Sequence, residues 1–285
     1  MEYDSNKNIF TLKPFSPIGI FDSGIGGLTV LKEIVKKLPQ YDYIYLGDNA
    51  RTPYGTRSFE TVYQYTLECV QKLFSMNCQL IILACNTASA KALRNIQQLD
   101  LHRIAPKKKV LGVIRPVTEV VGKYSQTKHV GVLGTHGTIN SNSYKIEIEK
   151  FFPEIKVFQE ACPMWVPLVE YNETNSPAAD YFVKKNLDVL FSKSNKIDTI
   201  ILGCTHYPVL IDKIKKYIPK NVKLLLQGKI VADSLADYFI RHPEIEIKCS
   251  QKKIIELYTT DSTENFDKVA GIFWNKNIRS KHLSL

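Results

Sequence analysis

The stretches "QLIILACNTASA" (79–90) and "DTIILGCTHYPV" (198–209) read alike. Each is an apolar run of strand length that ends in a cysteine. Small hydrogen-bonding residues follow: Asn86, Thr87 and Ser89 in one, Thr205, His206 and Tyr207 in the other. Buried runs bounded in this way read as parallel strands entering turns. A second pair, "PIGIFDSGIGGLTV" (17–30) and "HVGVLGTHGTINSN" (129–142), matches in the same order. Gly19 and Gly131 lie 112 residues apart and Cys85 and Cys204 lie 119 apart, a nearly constant offset that marks an internal duplication.

Between these stretches, strand-like runs alternate with amphipathic patterns. "PIGIF" precedes "GGLTVLKEIVKKL", and "YDYIYLG" precedes the helix from Phe59. "KVLGVI" precedes "RPVTEVVGKY", and "NVKLLLQ" precedes "IVADSLADYFI"; "KKIIELYTT" reads as a late strand and "IRSKHLSL" as a loose basic tail. Such alternation predicts α/β architecture: two similar doubly wound parallel-sheet domains related by a pseudo-two-fold. Ligands of such sheets bind outside the carboxyl ends of the strands, and domain interfaces are favoured pockets. The duplication therefore brings Cys85 and Cys204 to opposite sides of one cleft.

The 285 residues are 44% hydrophobic and 23% charged, ordinary for a soluble globular protein. No apolar run reaches the roughly 18–20 residues of a membrane span. The start, "MEYDSNKNIF", lacks the order of a signal peptide, so the expected location is the cytoplasm, where thiols stay reduced. A net charge of +10 comes from lysines spread along the chain, the longest run being "PKKK" at 106–109. With no nucleic-acid motif, this predicts a general attraction for anions rather than a nucleic-acid partner. None of the six cysteines has the two-residue spacing of a zinc or dithiol site, so no metal is expected. Cys69 and Cys78 read as core residues of the helix "TLECVQKLFSMNCQL".

A thiolate facing a thiol is a base facing an acid. With a carbon acid between them, one removes the α-proton and the other delivers a proton to the opposite face, inverting the centre. Both cysteines precede helices, whose free N–H groups would stabilise a thiolate. Asn86, Thr87, Thr205 and Ser23 can bond an α-carboxylate and α-ammonium. Asp22 reads either as a helix cap or as an assistant to proton transfer. His206, in a strand-end turn, reads better as functional than as a core histidine. Glu170 is ambiguous, and Tyr54 and Gly55 read as turn residues. No lysine-anchored pyridoxal site is evident, so no cofactor is expected. "GIGG" at 24–27, with Asp48 ending the next strand, offers a rival dinucleotide fingerprint, but its third glycine position is Thr29.

"GIFDSGIGGLTV", "YLGDNARTPYGTRS", "LACNTASA", "LGTHGTINSNSY" and "LGCTHYP" together resemble the glutamate racemases, from about Ile18 to "TTDSTENF" near 260. The resemblance implies cofactor-independent interconversion of L- and D-glutamate, supplying D-glutamate for peptidoglycan in the cytoplasm, and a homodimer. It implies that Cys85 and Cys204 are the proton donors and acceptors, assisted by Asp22 and His206. Asp22, Ser23, Tyr54, Gly55, Asn86, Thr87, Thr205 and His206 would bind substrate, with Thr135 and Thr138 in a further carboxylate-binding turn. Glu170 would lie near the histidine. The implied domains are residues 1–111 with 232–285, and 112–231. "GVIRPVTEV" departs from the pattern of many members at Arg115 and Val117, which bears on the hinge. A sibling aspartate racemase is one alternative, and a non-catalytic gyrase-binding protein another; "CTH" and the intact thiol pair favour glutamate racemisation.

Overall fold

The computed structural model describes residues 15–274 and 278–285. In chain order the elements are β1 (Ile18–Asp22), α1 (Leu28–Lys37), β2 (Tyr43–Gly47), α2 (Phe59–Ser75), β3 (Leu80–Leu83) and α3 (Asn86–Lys91). The short helices α4 (Leu93–Asn95) and α5 (Leu101–Ile104) lead to β4 (Lys109–Gly112) and α6 (Ile114–Thr118). Then follow β5 (His129–Gly134), α7 (His136–Asn140), α8 (Ser143–Phe151), β6 (Lys156–Ala161), α9 (Trp165–Glu170), α10 (Pro177–Lys193) and β7 (Thr199–Gly203). The chain continues through α11 (Ile211–Tyr217), β8 (Lys223–Leu225), α12 (Gln227–Arg241), α13 (Pro243–Glu246), β9 (Ile255–Thr259), α14 (Thr263–Trp274) and β10 (Lys281–His282).

The strands form two sheets, ordered β10-β9-β2-β1-β3-β4 and β6-β5-β7-β8, and every pairing is parallel. The series β2-β1-β3-β4 and β6-β5-β7-β8 repeat one order, so the duplication seen in the residues holds in the topology. In each sheet the order reverses between the first and third strands of the repeat, the switch point where ligands of such sheets bind. Asp22 and Cys85 stand at that point in the first sheet, Thr135 and Cys204 in the second.

Local chemistry sets the helices around these sheets. α2 starts at Ser58, whose hydroxyl accepts from Thr61 N at 3.1 Å, and its buried face carries Val62, Thr66, Cys69, Val70 and Leu73 at helical spacing. It ends where Asn77 takes a left-handed φ of 65°. β1 and β7 are buried along their whole length, as parallel strands covered on both faces require.

Two expectations need correction, and one strand was missed. Cys78 lies beyond α2, in the turn into β3, although it is buried like Cys69. The tail is not loose: Lys281 and His282 pair with Tyr258 and Thr259, and Leu283 is buried. β6 was not foreseen, because "KVFQEA" is a half-buried edge strand without a continuous apolar run. At the departure from the family pattern, Arg115 bonds Glu119 at 2.8 Å on the surface, while Val117 is buried with Tyr144 and Ile148.

Candidate active site

Cys85 is the N-cap of α3, two residues beyond β3. Its Sγ accepts from Ala88 N at 3.4 Å and lies 3.3 Å from Ser23 Oγ. Asp22, at the end of β1, is fully buried. Its Oδ2 accepts from Gly24 N at 3.0 Å, while Oδ1 has no hydrogen-bond partner among the described residues. Burial raises the Asp22 carboxyl, partly opposed by His206. Burial, followed by the nearby Asp22 charge, pushes the Cys85 thiol up to about 12, against the hydrogen bonds from Ser23 and Ala88.

Cys204 follows β7 directly, and its surroundings differ. Where a helix was expected, Tyr207–Leu210 form a short 3-10 turn and α11 begins only at Ile211. The partner of Cys204 is His206, whose Nδ1 lies 3.8 Å from Sγ and 3.5 Å from Thr205 Oγ1. His206 Nε2 lies 3.0 Å from Glu170 Oε1, at the end of α9. Burial alone would depress the imidazole, but the bonds to Cys204 and Glu170 prevail and push it up to about 10. An imidazolium has a proton for each of these partners.

The "GIGG" turn seats this histidine. A Cβ on Gly26 would stand 2.3 Å from Thr205 Oγ1 and 2.5 Å from His206 Nδ1, so the first sheet can approach the second only because the residue is glycine. Asp48, the ribose-binding candidate of the dinucleotide reading, is already bonded to Arg51, Tyr54 and Thr260. Gly26 thus serves packing between the sheets, while Gly27 lets the turn pack on Asp22.

Between the sheets lies a cavity of about 250 Å³, lined by Ser23, Tyr54, Gly55, Asn86, Thr87, Thr205 and His206. Cys85, Cys204, Thr135 and Glu170 line it too. Of the residues expected to act, Asp22 and Thr138 are not in the wall; both are buried beside it. The Tyr54 hydroxyl donates to Asp48, away from the cavity, which leaves the main chain of Tyr54 and Gly55 to meet a ligand. Gly55 O accepts from Gly137 N at 2.8 Å, joining the loop after β2 to the turn after β5. Thr87 Oγ1 lies 2.9 Å from Thr135 Oγ1 and 3.4 Å from Thr138 Oγ1, a threonine cluster spanning both sheets. Asn86 bonds Gln227 and Tyr144, to which the sequence reading gave no role: Tyr144 only closes the motif "LGTHGTINSNSY" and Gln227 only ends the run "NVKLLLQ". Pro163, Val166 and Pro167 add an apolar side. Among the described residues no group of three or more His, Cys, Asp or Glu side chains is placed to hold a metal.

Fold and site together define a duplicated α/β protein whose cleft is flanked by two strand-end thiols, each with its own acid–base neighbours. Residues 18–234 match the Asp/Glu/Hydantoin racemase family, and the chain belongs to that family of isomerases. It is 39% identical to the glutamate racemase of Persephonella marina over 269 residues, 94% of this chain and 97% of the relative. Among solved structures, a glutamate racemase isoform from Bacillus anthracis superposes with a TM-score of 0.86 at 34% identity, covering 96% of this chain and 99% of that one. The glutamate racemase of Francisella tularensis, solved with D-glutamate, gives a TM-score of 0.82 at 33% identity, covering 95% and 97%.

Proposed function

We propose that the protein interconverts L- and D-glutamate by two-base proton transfer between Cys85 and Cys204. The observation that carries this reading is that the two thiols line one small cavity from the switch points of two opposed sheets. The names of the relatives and the D-glutamate in one of them support glutamate as substrate.

In one direction the Cys204 thiolate takes the α-proton, and the C–H electron pair moves onto the carbanion. Cys85 gives its proton to the opposite face, and the two thiols end with exchanged protonation. The imidazolium of His206 donates to Cys204 Sγ while Glu170 holds the ring. Asp22 plays the corresponding part for Cys85, accepting its proton when that thiol must serve as base in the reverse direction. Ser23, Thr87, Thr205 and the main chain at Tyr54 and Gly55 bind the carboxylates and ammonium; preorganised donors of this kind stabilise the developing carbanion. Asn86 presents its amide from the seam. No pyridoxal phosphate, metal or nucleotide takes part.

The same reading places the protein in the cytoplasm as a homodimer, supplying D-glutamate for peptidoglycan. No helix among the described residues is long and apolar enough to cross a membrane. The domain division falls at 111/112 and 231/232, the chain returning to the first domain along α12. The test is to incubate purified protein with L-glutamate and follow optical rotation. Rotation should decay to zero without additives. Loss of activity on dialysis against chelator, or a preference for aspartate, overturns the reading.

A further inference from the structure

Two buried side chains with no assigned part in the reaction close a hydrogen-bonded ring with Asn86 across the seam between the sheets. Asn86 opens α3 next to Cys85, Tyr144 lies on α8 beneath the second sheet, and Gln227 opens α12 just past β8. Asn86 Nδ2 donates to Gln227 Oε1 at 2.8 Å, and Gln227 Nε2 donates back to Asn86 Oδ1 at 2.9 Å. The Tyr144 hydroxyl donates to the same Asn86 oxygen at 2.8 Å and accepts from Gln227 Nε2. All three residues are buried.

The bonding within the ring is nearly complete. Gln227 commits both amide protons and its oxygen, and the phenol donates once and accepts once. Asn86 Oδ1 accepts twice, and one amide proton of Asn86 has no bond within the ring. Burial, and after it the neighbouring Cys204, raises the Tyr144 hydroxyl, so the phenol keeps the proton it donates. Buried polar networks of this kind are satisfied in one arrangement and costly in others, whereas apolar faces can slide.

Both ends of the ring abut the thiol-bearing strand ends. Asn86 adjoins Cys85 in sequence. The Tyr144 ring lies against Gly203, where an added Cβ would meet Cε2 at 3.1 Å, and Gly203 immediately precedes Cys204. We propose that Gln227 and Tyr144 are positioning residues that, through Asn86, set the separation of the two thiols across the closed cleft. The proposal rests on the two-thiol reading above. Racemisation needs both sulfurs within reach of one α-carbon, and displacements of about 1 Å can cost on the order of a hundredfold in rate.

Tyr144→Phe and Gln227→Met keep the buried volume while breaking the ring. Each is assayed with two substrates. Glutamate racemisation needs both thiols. A glutamate bearing chloride on its β-carbon needs only one: as the thiolate takes the α-proton, the C–H pair forms the Cα=Cβ bond and chloride leaves. In both variants kcat for racemisation should fall about tenfold or more with KM within about twofold, while elimination falls less than about threefold. Thermal unfolding confirms that the variants are folded. Equal losses in the two reactions, or no loss in either variant, overturn the positioning role. Wild-type protein that eliminates chloride yet leaves glutamate unracemised overturns the two-thiol reading and the ring's role with it.

Discussion

Cys85 and Cys204 occupy equivalent strand ends in sheets of the same order, yet they keep different company. Cys85 caps a helix, touches a serine hydroxyl and a backbone N–H, and has a buried carboxyl behind it. Cys204 caps no helix and faces an imidazole held by a glutamate. The difference teaches that duplication supplies the geometry of two opposed faces, while divergence of the neighbours sets where the protons rest. A thiol pushed up to about 12 rests as an acid. Cys204 instead faces an imidazole pushed up to about 10. The two sulfurs therefore sit in unlike surroundings, a raised thiol at Cys85 and a sulfur facing a raised imidazole at Cys204.

The severest break in this comparison removes either sulfur. Cys85→Ala and Cys204→Ala should each cut glutamate racemisation by about 10³-fold or more, because each deletes an acid–base group that the other cannot replace. Steady-state turnover checks this, and near-normal turnover in either variant would falsify the two-base mechanism.

Next in size are one-sided losses from the neighbours. His206→Asn and Glu170→Gln should slow abstraction by Cys204, and Asp22→Asn abstraction by Cys85, each by roughly 10- to 100-fold. Initial rates from each enantiomer, with a primary isotope effect at the α-position, show which abstraction has slowed. The same isotope pattern in all three variants would erase the asymmetry.

Stability against pH sharpens it further. The ordinary imidazole value is 6.5, and in the fold it rises to about 10. The charged ring's contribution is thus fully present below about pH 6.5 and is lost as pH rises through 10. The Cys85 thiol, raised from 9.0 to about 12, adds a separate loss above pH 9. Between pH 7 and 10 the melting temperature of the wild type should therefore fall more steeply than that of His206→Asn. Parallel curves would show that the Cys204–His206–Glu170 unit does not hold the extra proton.

The smallest effects belong to the cysteines outside the cleft. Cys69→Ala and Cys78→Ala remove buried sulfur from the first sheet's core and should cost about 1–2 kcal/mol of stability, read by chemical denaturation, with kcat unchanged. A kinetic defect in either would place a thiol of the core in the reaction.

Much of this arrangement was legible in the residues, for reasons that differ by element. Continuous apolar runs such as "LIIL" and "TIILG" announce strands covered on both faces, and their repetition at a fixed offset announces two like sheets. Cysteines at the ends of such runs then fall at the switch points. What escaped lacked a local signal. β6 is half-exposed at an edge, and β10 gains its partner only when the chain returns to the first sheet. Cys78 falls outside α2 because Asn77 turns left-handed. The helix expected after Cys204 begins late because Pro208 and its neighbours wind a 3-10 turn. Gln227 and Tyr144 act through partners 141 and 58 residues away, a relation that periodicity cannot express.

The central claim is that each sulfur serves one face of the α-carbon. By resemblance to the glutamate racemases, Cys204 is assigned to L-glutamate and Cys85 to D-glutamate. The direct test is elimination from the two enantiomers of a β-chloro glutamate by serine variants, since elimination uses one thiol at a time. Cys204→Ser should fail on the L-configured analogue and keep its activity on the D-configured one, and Cys85→Ser should do the reverse. Equal impairment of both analogues in both variants would contradict the account, showing that the thiols act as one coupled unit with no face assigned to either.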